Sequence, residues 1–176
     1  MIRKRFAVAV TLCIIATPLV YGHASGRTAH VVSTTCEPSS LSLTTVGSDG
    51  AMGHIAIEFR FHNRSTHSCT LYGFPGAQLF DSRHHPLHTH VIRGADNLTS
   101  GRPRRLVRLI PGGQAYFILE AAHIPTGNES CPTAHYLVVT PPGDYRSLVV
   151  TGTFSHITAC GGRLTVSPVE PSTFQY

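Results

Sequence analysis

The stretch His54-Ile55-Ala56-Ile57-Glu58-Phe59-Arg60-Phe61-His62 puts Ile55, Ile57, Phe59 and Phe61 on one side and His54, Glu58, Arg60 and His62 on the other. A period of two belongs to an extended chain, so this segment predicts a strand of an antiparallel sheet with one face buried and the other wetted. Weaker alternation recurs at Leu41 to Val46, Thr70 to Phe74, Gly76 to Phe80, His88 to Ile92, Leu106 to Ile110, Gln114 to Ala121, Ala134 to Thr140, Ser147 to Phe154 and Arg163 to Val169. Turn signals punctuate these segments: Gly47 to Gly50, Asn63 to Ser68, Phe74-Pro75-Gly76, Pro111-Gly112-Gly113, Pro125 to Asn128 and Pro141 to Asp144. No window carries a capped helical stripe. The expected architecture is all-β, an immunoglobulin-like antiparallel β-sandwich of about 7–10 short strands, with a closed barrel as the alternative.

At 176 residues the chain has the length of a single domain. Arg3, Lys4 and Arg5 precede an apolar run from Phe6 to Val20, and Gly22, Ala24 and Gly26 supply small residues beyond it. That order reads as a secretory signal over 1–24, too short in its apolar part to span a bilayer. Cys13 lies inside the run after Leu12, which does not fit a lipoprotein cleavage site. A flexible mature N-terminus is expected over 25–35, one domain over 36–170 and a C-terminal tail over 171–176. Of the 14 basic residues, three belong to the signal, leaving 11 against 9 acidic side chains. A mature chain so close to neutrality is not expected to bind nucleic acid, and no membrane span remains after cleavage.

Cys36, Cys69, Cys131 and Cys160 are left in the mature chain, separated by 33, 62 and 29 positions. Zinc ligands two to four residues apart are missing, whereas an even number of cysteines in an oxidising compartment points to disulfides. Three connectivities are open on count alone. If Leu41 to Val46 pairs with Ile55 to Phe61 across the glycine turn, Cys36 comes near Cys69. A hairpin about Pro141 to Asp144 likewise brings Cys131 near Cys160. Each bridge closes a loop of about 30 residues and contributes roughly 3 kcal/mol by constraining the unfolded chain.

Gly50-Ala51-Met52-Gly53-His54, Phe61-His62-Asn63 followed by Ser68-Cys69-Thr70-Leu71-Tyr72-Gly73-Phe74-Pro75-Gly76, and Leu109-Ile110-Pro111-Gly112-Gly113-Gln114-Ala115 together resemble the secreted actinobacterial family called domain of unknown function 4232. The resemblance runs from about Cys36 to Val169. It implies a secreted or envelope-attached β-sandwich from a high-GC Gram-positive bacterium, and it implies no activity. After Lys4 every basic residue is Arg, in keeping with coding bias in such a genome.

Two clusters invite a chemical reading. Arg83-His84-His85-Pro86-Leu87-His88-Thr89-His90 holds four imidazoles in seven residues. His88 and His90 would share a strand face, and His84 or His85 folding back across Pro86 would complete a three-nitrogen set suited to copper or zinc. The solvated alternative is a histidine-rich turn. Arg102-Pro103-Arg104-Arg105-Leu106-Val107-Arg108 would meet phosphate or acidic glycan, or else is the charge that protects an edge strand. Catalytic signatures are missing: there is no G-x-S-x-G elbow, H-E-x-x-H pair or P-loop, and no convincing carboxylate pair. Asn63-Arg64-Ser65, Asn97-Leu98-Thr99 and Asn128-Glu129-Ser130 match the glycosylation acceptor pattern in expected loops.

These readings lead to a non-catalytic secreted or cell-envelope module without a cofactor, binding a protein or an envelope polymer. The alternative is an envelope metal-binding protein using His84, His88 and His90. Site residues expected with structural roles are the four cysteines.

Overall fold

The computed structural model of the chain describes residues 34–95, 98–150 and 156–174, all within one compact unit. The signal reading over 1–24, most of the expected flexible segment after it, and 151–154 of the strand expected at Ser147 to Phe154 lie outside the described residues.

Among the described residues the protein is all-β and has no α-helix. The largest sheet has five strands in the order β2 (Leu41–Ala51), β3 (His54–Asn63), β8 (Gln114–Ala122), β13 (Arg163–Val166), β6 (His90–Arg93). A second sheet runs β1 (Thr34–Thr35), β4 (Cys69–Tyr72), β7 (Leu106–Leu109), and a third β11 (Leu148–Val149), β10 (Tyr136–Thr140), β5 (Gly76–Phe80). β9 (Thr133–Ala134) and β12 (Ile157–Thr158) form a two-stranded ribbon. None of the sheet orders closes on itself, which removes the barrel alternative. Two pairings depart from the expected antiparallel pattern: β6 runs parallel to β13 and β1 parallel to β4. Both join segments distant in sequence, where no hairpin imposes direction.

The decisive strand is β3. It lies between β2 and β8, with Phe59 directly opposite Phe117 and Phe61 opposite Ala115. The rings of Phe59 and Phe61 both stack on Phe117, with centroids 5.2 and 5.1 Å away. Phe59, Phe61 and Ile57 are buried in one cluster with Leu41, Leu71, Leu79, Val107, Leu137 and Ile157, so all four sheets share one core. Ile55 packs against that cluster from its margin.

The β2–β3 hairpin turns later than the glycines suggest. A bulge between Thr45 and Gly47 lets Gly47 to Ala51 continue the ladder as far as Ala51 opposite His54. The chain reverses at Met52-Gly53, whose φ angles of 52° and 80° are both left-handed. Such two-residue turns match the twist of paired strands, and the second position suits glycine. Cys36 is joined to Cys69 and Cys131 to Cys160.

The other face of β3 is not the wetted surface expected. Ala56, Ile118 and Phe174 form a second buried cluster, and Glu58 is only 4% exposed. The cover is the expected tail. Beyond β13 the chain keeps pairing with β8, exchanging two backbone hydrogen bonds between Tyr116 and Glu170. The Phe174 amide then donates to Glu58 Oε1 at 2.9 Å. A carboxylate that would be costly to bury alone thus accepts an N–H from the strap that buries it.

Candidate functional site

An apolar groove of about 290 Å³ lies on the third sheet, lined by Phe80, His84, Tyr136, Val138 and Val149. β10 alternates strictly, with Leu137 and Val139 in the core and Tyr136 and Val138 half-buried on the outside. Register completes the floor: Tyr136 is opposite Phe80 and Val138 opposite Val149. Val149 is 56% exposed, although a valine gains by burial. Both faces of this strand are therefore apolar, and only one meets the core.

The rim of the groove is built by the turn after β5. Asp81 Oδ1 accepts the backbone N–H groups of Arg83 and His85, each at 2.8 Å, and the Asp81 carbonyl accepts that of His84 at 3.1 Å. The backbone N–H of His85, helped by that of Arg83 and by the His85 ring, holds the Asp81 carboxyl below its usual pKa. His84 takes a left-handed φ of 62° in this turn. Its ring lies on Tyr136, centroids 4.0 Å apart and planes 19° from parallel. The result is an aromatic platform continued by two valines, with few groups that hydrogen-bond.

This geometry does not bring His84, His88 and His90 together. His84 is committed to the Tyr136 ring, while His85 faces Asp81 with Nδ1 3.3 Å from Oδ2. His88 packs beside Gly162, where a Cβ would meet the His88 carbonyl, and His90 begins β6 opposite Arg163. The segment is extended past Pro86, which separates side chains that the sequence places close together. Among the described residues no group of three or more His, Cys, Asp or Glu side chains converges as a metal site.

The arginine segment also divides. Arg102 lies in the segment before β7 and binds the strap, with Nη1 3.2 Å from Glu170 Oε1 and its guanidinium 4.3 Å above the Phe174 ring. Arg104 reaches over Tyr72 at 5.9 Å. Arg108 is exposed on β7, an edge strand of the second sheet, as the protective reading expects. A cavity of about 410 Å³ between Arg102, Arg105, Glu170 and Pro171 lies over the strap. Arg102 and Glu170 within it pair with each other, and Arg105 is exposed at its edge.

Asn63 is not a loop acceptor. It ends β3 fully buried, and its Nδ2 donates to the carbonyls of His67, Leu109 and Ile110. Glu120, also buried, has Oε1 3.4 Å from His54 Nδ1 and accepts from the Leu98 amide. The signal of the groove in the sequence is the run Tyr136-Leu137-Val138-Val139, apolar at every position in a protein whose central strand β3 alternates.

Taken together, these features define a disulfide-stapled all-β domain with an apolar outer face. The chain belongs to the family described as Domain of unknown function (DUF4232), whose model matches residues 36–170. No curated protein and no solved structure matches it.

Proposed function

We propose that the protein is a secreted or cell-envelope interaction module of actinobacterial type, an immunoglobulin-like sandwich that binds a protein partner and catalyses no reaction. The observation that carries this reading is the groove formed by Phe80, His84, Tyr136, Val138 and Val149. Contiguous exposed apolar surface of this kind marks interaction sites. A polyhydroxylated or anionic polymer would need converging donors and charges, whereas a protein supplies apolar side chains to fill such a groove. Export fits the amino-terminal charge and apolar run and the two disulfides. The buried carboxylates Glu58 and Glu120 already serve structural contacts, which favours binding over acid–base chemistry.

The test is capture from envelope extract by immobilised wild type, by Val138→Asp and by Arg108→Ala, which alters a distant edge. Val138→Asp should lose the protein that wild type and Arg108→Ala retain in common. Equal capture by all three, or by none, overturns the assignment of this face.

A further inference from the structure

The two-stranded ribbon carries an arrangement that neither the groove nor the sequence motifs use. Ala134 is opposite Ile157 and Thr133 opposite Thr158. The same register places Cys131 opposite Cys160 and His135 opposite His156, supported by backbone hydrogen bonds from Ala159 to Pro132 and from Gly161 to Ser130. One face of the ribbon is therefore a ladder of three side-chain pairs in contact. Its rungs are the Cys131–Cys160 disulfide, the Thr133 and Thr158 hydroxyls 3.1 Å apart, and His135 Nδ1 with His156 Nε2 3.0 Å apart. Both imidazoles are exposed.

We infer that His135 and His156 form a copper(II) site. Imidazole nitrogen is a preferred donor for this ion, and copper(II) heads the affinity order among divalent first-row metals. With metal–nitrogen bonds of about 2.0 Å, two donors at adjacent corners of a square lie about 2.8 Å apart, and at a tetrahedral angle about 3.3 Å. The observed 3.0 Å is closer to the square arrangement that copper(II) adopts. The rings meet edge to face at 83° with centroids only 4.4 Å apart, so their nitrogens approach obliquely and not head-on. In the neutral pair one N–H lies between the two nitrogens. On metal binding that proton passes to the other nitrogen of whichever ring carries it, freeing both facing nitrogens as donors, and the net proton count is unchanged.

The pair is held in place before any ion arrives. The disulfide fixes the register two rungs away, and His156 has a left-handed φ of 34°, a conformation that side chains other than glycine adopt rarely. Two protein donors with the remaining positions left to water make a site that is open to solvent. His135 directly precedes Tyr136 of the groove, but neither imidazole lines the groove, and the site does not depend on the interaction proposed there.

Copper(II) alone is the probe, titrated into wild type, His135→Ala, His156→Ala and the pair His88→Ala and His90→Ala. Each variant is first checked for an unchanged thermal melt and two intact disulfides. Wild type should bind one equivalent, with two nitrogen couplings in its electron paramagnetic resonance spectrum. His135→Ala and His156→Ala should each bind at least tenfold more weakly and lose one nitrogen coupling, while the His88 and His90 variants behave as wild type. Wild-type affinity and spectrum in both the His135 and His156 variants would overturn the site, and so would loss confined to the His88 or His90 variants.

Discussion

Replacing Phe174 by Ala tests whether the C-terminal strap is part of the folded domain. The ring is 7% exposed, packed on Ala56 and Ile118 with the Arg102 guanidinium 4.3 Å above it. Removing a buried Phe side chain forfeits about 1.5–3 kcal/mol of burial. Losing the cation over its face adds about 0.5–1 kcal/mol at a partly exposed site. The backbone N–H that binds Glu58 survives the substitution, so no further term is added for that hydrogen bond. The expected loss is about 2–4 kcal/mol, read as a lower urea midpoint at unchanged slope. Phe174→Leu keeps the apolar contact and should lose less than about 1.5 kcal/mol. A Phe174→Ala loss below about 0.5 kcal/mol, the scale of an ordinary surface change, would refute the covered sheet.

Two further outcomes follow from other parts of the fold. Phe59→Ala removes a fully buried ring stacked on Phe117 and should cost about 3–5 kcal/mol in the same melts; a loss under about 1 kcal/mol would move the core away from β3. Asp144 is held at a pKa of about 2 against 3.8 for the free side chain, first by the Arg146 guanidinium and then by the Arg146 amide. Its folded pKa is the lower one, so its contribution is present above the unfolded value and fades as pH falls from about 4 towards 2. Asp144→Asn should therefore differ from wild type in melting temperature at pH 6 and converge with it near pH 2, and a gap that is constant across this range would contradict the Arg146 contacts.

How much of this was legible in the sequence depended on the range of the contact. The alternation of Ile57, Phe59 and Phe61 is local, and it located the core face of the central strand. Hairpin logic joined Cys36 to Cys69 and Cys131 to Cys160, as observed, although the second pair flanks the β9–β12 ribbon, whose strands are not neighbours in sequence. The same logic misplaced the first turn, since a bulge changes the count without a composition of its own. It also missed the parallel pairs β6–β13 and β1–β4, whose partners are set by the whole fold and not by a turn.

Polar residues were the harder case, because alternation shows which side chains share a face but not what lies over that face. Glu58 and Arg60 looked equivalent on β3, yet Glu58 is buried by a residue 116 positions away. The signal was Phe174, an aromatic side chain in a short polar C-terminal stretch, where burial requires some other surface to receive it. Histidines show the same principle in reverse. Four within His84 to His90 are drawn apart by a turn and an extended segment, whereas His135 and His156 meet across the ribbon although 21 residues separate them. In a β protein, side chains are brought together by strand register, so clusters capable of chemistry are better sought by pairing positions across strands than by counting residues along the chain.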